Sequence, residues 1–145
     1  MTAPLAGNIV KASDLGSELA YAEITTPTAE ITTQADVGVS ITFTLTETRI
    51  VRIIGSFLLR SSSINDEGRA VITDGSGIQI MDGGTIKIVE NNFNHRREFS
   101  RRQSLAAGTY TYKLQAQFPV SAGTTVVSAS TSNPTYIQAL DLGAG

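Results

Sequence analysis

Cysteine is absent from this chain. Neither a disulfide nor a thiolate-held zinc is open to it, and its stability has to come from packing. Histidine occurs once, as His95. Any Ser-His-Asp arrangement would have to use that residue, yet its surroundings, NNFNHRREF, are polar and basic and hold no nucleophile motif. Charge is sparse, at 17% of residues, against the ~25% of an average domain. The net charge of −2 argues against a general nucleic-acid binder, which is normally basic. Long apolar runs are missing too. The most apolar stretch, IVRIIGSFLL, is about half the length of a membrane span and contains Arg52. Met1 to Gly16 has no basic start followed by an apolar run, so it does not read as a signal peptide.

Reaction chemistry is equally thin. The 13 acidic residues are scattered over turns and strand edges, with no spacing that marks the paired carboxylates of a glycosidase. Asp66-Glu67, Asp74 and Asp82 lie near glycine turns, and calcium favours clustered oxygens. The D-x-[DN]-x-[DN]-G spacing is missing, however, and Asp-Gly is an ordinary hairpin turn. Gly75-Ser76-Gly77 does not lead into a phosphate-binding loop and helix. No catalytic residue, metal or cofactor is expected.

What is present is alternation. Tyr110, Tyr112, Leu114, Ala116 and Phe118 alternate with Thr109, Thr111, Lys113, Gln115 and Gln117. One apolar and one polar row with a period of two is a half-buried antiparallel strand. TTVVSAS follows a glycine turn, and Pro134 opens PTYIQALDL. Three strands in about forty residues leave no room for a crossover helix, which makes the arrangement antiparallel. In the N-terminal half Val37, Val39, Ile41, Phe43 and Leu45 repeat the pattern. YAEITT and AEITT flank Pro27, which cannot donate to a ladder and so marks an edge strand or a bend between two short strands. RAVITDGSGIQIMDGG reads as a hairpin turning at Asp74 to Gly77, and TIKIVENN as a further strand after Gly83 and Gly84. The sum is an all-β chain of about eight to ten strands, an antiparallel sandwich of the jelly-roll kind. Its 145 residues fit one domain with a real core. The sandwich is expected over residues 19–145. Residues 1–18, which lack alternation, are expected to be an attachment arm.

Two stretches depart from this pattern. RIVRIIGSFLLR is apolar on both faces: Val51, Ile53, Phe57 and Leu59 form one, and Ile50, Ile54 and Leu58, broken by Arg52 and Ser56, the other. A strand apolar on both sides has to be covered on both. The second cover is either a loop of the same chain or a neighbouring subunit, so Ile50, Ile54 and Leu58 are candidate oligomer contacts. The second departure is basic. Arg96, Arg97, Arg101 and Arg102 are four of the eight arginines, inside seven residues of an acidic chain. If extended, Arg97, Phe99 and Arg101 share one side, and Arg96, Glu98 and Arg102 the other. Arginine holds carboxylates bidentately and suits interfaces. The group is a solvated loop, a contact with another subunit or a particle, or a site for an anionic glycan or nucleic acid.

The run AGTYTYKLQAQ, the Gly-Thr-rich turn after it and the ending NPTYIQALDLG resemble the last strands of small β-sandwich proteins from the structural modules of tailed bacteriophages. Those proteins are similar to the trimeric jelly rolls of the tumour-necrosis-factor and complement globular-head type. LAYAEITTPTAEITTQADVGVSITFTL and AVITDGSGIQIMDGG fit the same order, so the resemblance spans roughly Leu19 to Leu142. It implies a trimeric virion protein, made in the host cytoplasm, without saying which part of the virion. Together with the lack of a catalytic constellation, the expectation is a non-enzymatic homotrimer on the particle exterior. Its partners would be the major capsid protein or tail proteins, with a host surface glycan as a further candidate and no membrane. A capsid decoration protein fits a chain without a fibre shaft; the alternative is a tail-tip or tail-fibre protein that binds a receptor.

Overall fold

The computed structural model describes residues 17–145. Nine strands build it: β1 (Ser17–Ile24), β2 (Ala35–Leu45), β3 (Arg49–Ser61), β4 (Glu67–Asp74), β5 (Gln79–Lys87), β6 (His95–Leu105), β7 (Gly108–Val120), β8 (Thr125–Ser128) and β9 (Thr135–Ala144). One sheet has the order β1-β9-β3-β6, with β8 also paired to β3; the other has the order β2-β7-β4-β5. All pairings are antiparallel. β4 and β5 form a hairpin, while most other consecutive strands lie in opposite sheets. With β8 set aside, two four-stranded sheets linked in this way form a jelly roll.

The alternation seen in the sequence is what closes the sandwich. In β2, Val37, Val39, Ile41, Phe43 and Leu45 are buried and the residues between them exposed. β7 presents Tyr112, Leu114, Ala116 and Phe118 to the same core, where Val51, Ile53, Phe57 and Leu59 of β3 meet them. Phe43 stacks on both Tyr110 and Tyr112, with centroids 5.8 and 5.9 Å apart. Each large side chain buried here contributes roughly 1.5–3 kcal/mol.

Three details differ from expectation. AEITT is not a strand: the chain crosses between the sheets there, with Ile31 buried and bonded through its N–H to the Thr125 carbonyl. TIKIVENN is no separate strand, because β5 continues through Gly83 and Gly84 as a bulge. A Cβ at Gly83 would lie 2.5 Å from the Phe99 ring and 2.9 Å from the Ala70 carbonyl oxygen. This glycine therefore permits close approach rather than ending a strand. Gly84, at φ +78°, supplies the bulge's left-handed residue. Finally, β1 begins at Ser17, so Ser17 and Glu18 belong to the sandwich. The rest of the expected arm lies outside the described residues.

Candidate functional site

The candidate site is the outer face of the β1-β9-β3-β6 sheet, which the doubly apolar strand occupies centrally. β3 pairs with β6 along one side, and with β9 followed by β8 along the other. The excursion between β8 and β9 leaves a gap in the ladder that Thr135 fills. Its hydroxyl accepts from the Leu58 N–H at 3.3 Å and donates to the Ser128 carbonyl at 2.8 Å.

The three interface candidates are not equivalent. Ile50 and Ile54 are part-exposed on the outer face. Leu58 is 1% exposed within the single chain, which corrects its assignment as an intersubunit contact. Arg96 lies opposite Leu58 in the register and donates to both Ser56 and Asn133, spanning that end of the face. Among the described residues, the cover expected over this strand is thus supplied at the Leu58 end and not at the Ile50 and Ile54 end.

The arginine group is an edge strand, β6, and not a loop. Its two rows have different roles. Arg97 donates to the Gly83 carbonyl and Arg101 to the Ile80 carbonyl at 3.1 Å. Both acceptors lie on β5, the edge of the other sheet, so these arginines tie the sandwich edges together. Phe99 between them stacks on Phe57 at 5.8 Å. Arg96 and Arg102 sit on the outer row. Arg102 is directly opposite Arg52, and like charges so placed are destabilising. The ion pairs among the described residues are Arg49 with Glu47 and Asp141, and Arg69 with Asp82. Neither member of the Arg52–Arg102 pair is joined to a carboxylate there; Arg52 donates only to the Ser100 hydroxyl, at 3.2 Å.

Sequence reasoning missed the other half of this face. Tyr21 of β1 is 42% exposed and stacks on Tyr136 of β9 at 5.6 Å. Its hydroxyl donates to Glu23 at 2.8 Å. The phenol is pushed up to about 12, by desolvation first and then by the hydrogen bond and charge of Glu23. Gln138 bonds Glu18 at 2.7 Å, and Leu140 lies across from Arg52. Alternation hinted at each strand's outer row, but which rows lie side by side depends on strand order.

Elsewhere the main polar candidates from the sequence are already engaged. His95 donates through Nδ1 to the Phe93 carbonyl at 2.9 Å and accepts at Nε2 from Val89, fixing the loop before β6. The Asp74 carboxylate accepts from the Ser76 and Ile78 N–H groups at its turn. Asp66, fully buried, accepts from the Ser61 hydroxyl at 2.6 Å and from the Ala122 and Gly123 N–H groups. Burial alone would raise its carboxyl, but these donors outweigh it and hold the group below the usual carboxylate value. Among the described residues no three His, Cys, Asp or Glu side chains gather as metal ligands. A groove of about 510 Å³ opens beside Asp74, Ile80, Gln103, Tyr110 and Tyr112. The Tyr110 hydroxyl in it donates to the Ala106 carbonyl, and the Tyr112 hydroxyl accepts from Gln103.

No protein-family model matches the sequence, and no curated protein does. Solved structures do match. Dimeric latent PorU from Porphyromonas gingivalis aligns with 97% of the chain at a TM-score of 0.51 and 10% identity, over 14% of its own length. The structure of infectious bursal disease virus, Gx strain, aligns with 100% of the chain at a TM-score of 0.50 and 15% identity, over 37% of that protein. The VP2 subviral particle of the same virus aligns with 99% at 0.47 and 12%, over 42%. The chain therefore spans less than half the length of each. What is shared with the first two is the β-sandwich. Nothing finer follows from identities this low.

Proposed function

We propose that this chain is a non-enzymatic structural protein of a tailed-phage virion, forming homotrimers that decorate the capsid exterior. The observation that carries this reading is the outer face of the β1-β9-β3-β6 sheet. Ile50, Ile54 and Leu140 are part-buried there beside the Tyr21–Tyr136 stack, and Arg52 and Arg102 face each other without a carboxylate partner among the described residues. Such a face suits assembly: apolar surface rewards burial, and a neighbour's carboxylates would relieve the paired charges. The jelly roll is a fold that a virus particle also uses, and the resemblance of the C-terminal strands supplies the phage assignment. Residues before β1 would attach the trimer to the major capsid protein.

Electron cryomicroscopy of the intact virion tests this. Three-fold sandwich density on the capsid exterior is expected. Density confined to the tail would favour a receptor-binding tail protein, and absence of the chain from purified particles would overturn both readings. One observation favours that second reading. The loops after β3, β5 and β7 meet at one end through bonds such as Asn65 to Ile88 and Gly123 to Asp66. There Ile64, Val89 and Phe93 are exposed by 54%, 75% and 54%, a composition suited to gripping a surface.

A further inference from the structure

We infer that copies of this chain meet through the two opposite margins of one sheet: the acidic β1 margin of one copy against the arginine margin, β6 with Arg52, of the next. This rests on the self-assembly reading above and names the surfaces that carry it.

The two margins are opposite in sign. β1 carries Glu18 and Glu23 and no basic residue. β6 carries Arg96, Arg97, Arg101 and Arg102 against Glu98 alone, and Arg52 stands opposite Arg102. Among the described residues of one copy, each charge set is incompletely matched. The partners of Glu18 and Glu23 are the neutral Gln138 amide and Tyr21 hydroxyl. Arg52 and Arg102 have no carboxylate in ion-pair range among the described residues. Among the described residues both margins are also strand edges, since β1 pairs there only with β9 and β6 only with β3. Between them lie the Tyr21–Tyr136 stack, Leu140, Ile54 and Ile50, apolar surface for the joint to cover.

A neighbour's carboxylates on Arg52 and Arg102 would turn a like-charge pair into a bridged one, in the fork geometry that arginine favours. The contact joins two different patches, so each copy uses one margin for each of two neighbours. Contacts of this kind close into rings when the rotation permits, and the trimer is such a ring. Complementary charge also makes the joint selective against like margins meeting.

The experiment reverses each margin separately and then together. One variant carries Glu18→Arg with Glu23→Arg, a second Arg52→Glu with Arg102→Glu, and a third carries all four changes. Mass is read by sedimentation velocity at 0.15 M and 1 M salt, and folding by circular dichroism and thermal melting. The wild type is expected to be an oligomer. Each single-margin reversal should weaken association at least tenfold while leaving a folded monomer, and the fourfold variant should recover the oligomer. If a reversal fails to fold, Glu23→Gln and Arg102→Gln give the same reading with a smaller shift. An oligomer indifferent to either reversal, or losses that the fourfold variant does not recover, would overturn this joint and leave self-assembly standing. A wild type monomeric at every concentration would remove the self-assembly reading and the joint with it.

Discussion

The two sheets of this sandwich present outer faces of opposite character. On the β2-β7-β4-β5 sheet the polar row is bonded to itself. Thr42 pairs with Thr111 and Thr44 with Thr109, each at 2.9 Å. Gln115 accepts from Gln34 and donates to Asp36. Arg69 forks onto Asp82, and this with the Gly84 N–H holds the Asp82 carboxyl below its usual value. That face satisfies many of its polar groups within its own sheet. The outer face of the β1-β9-β3-β6 sheet has part-buried Ile50 and Ile54, stacked tyrosines and two opposed arginines. The same period-two pattern thus builds a finished surface on one side and an unfinished one on the other. The difference lies in whether cross-strand neighbours satisfy each other.

The largest effect should come from the core beneath both faces. Phe57 is fully buried and stacks on Phe99, so Phe57→Ala should cost about 3–5 kcal/mol. Chemical denaturation measures it, and a smaller loss with both faces intact would mean the sheets are stabilised independently. Ile54→Asp separates the faces more directly. It removes roughly 1.5–3 kcal/mol of burial per contact and places a charge in the joint, so light scattering should show the oligomer dissociating. Thr42→Asp on the other face should leave the mass unchanged.

Asp66→Asn tests a clamp at the loop end that serves both sheets. Asparagine keeps one oxygen, so one of the Ala122 and Gly123 N–H groups loses its buried acceptor, which should cost about 1–3 kcal/mol. The sign with pH follows from its lowered carboxyl. The folded state binds the proton less readily than the unfolded chain, so the stabilisation is present above the unfolded value of about 3.9. It is lost as pH falls through the lower folded value. Melting curves from pH 7 down to 2 should fall less steeply in Asp66→Asn than in the wild type. The smallest effect belongs to the finished face. Thr42→Ala removes one exposed hydroxyl pair, and its cost should stay within about 0.5 kcal/mol. A loss above 1 kcal/mol would mean that the threonine pairs carry more of the sheet's stability than their exposure implies.

Much of this fold was legible in the residues. β2, β7, β8, β9 and the β4–β5 hairpin lie where alternation and turn residues placed them, because a period of two constrains which face a side chain meets. The glycine pair at 83–84 misled, since a glycine that permits a bulge and one that ends a strand look alike in one dimension. Of the site, Ile50, Ile54 and the two rows of arginines were visible as departures from pattern. Leu58 was misassigned because its burial depends on strand pairing, which sets Arg96 opposite it and lets Arg96 reach Ser56 and Asn133.

By itself, then, the sequence determined the class of structure and the inward and outward rows, through local periodicity and the absence of cysteine and of helical patterning. Only the tertiary structure decided that Arg52 stands against Arg102, that Arg97 and Arg101 reach β5, and that acidic β1 and basic β6 bound the same sheet. Strand order sets these neighbours, and it is chosen by which pairings bury the whole core at once. No short stretch of residues records that choice.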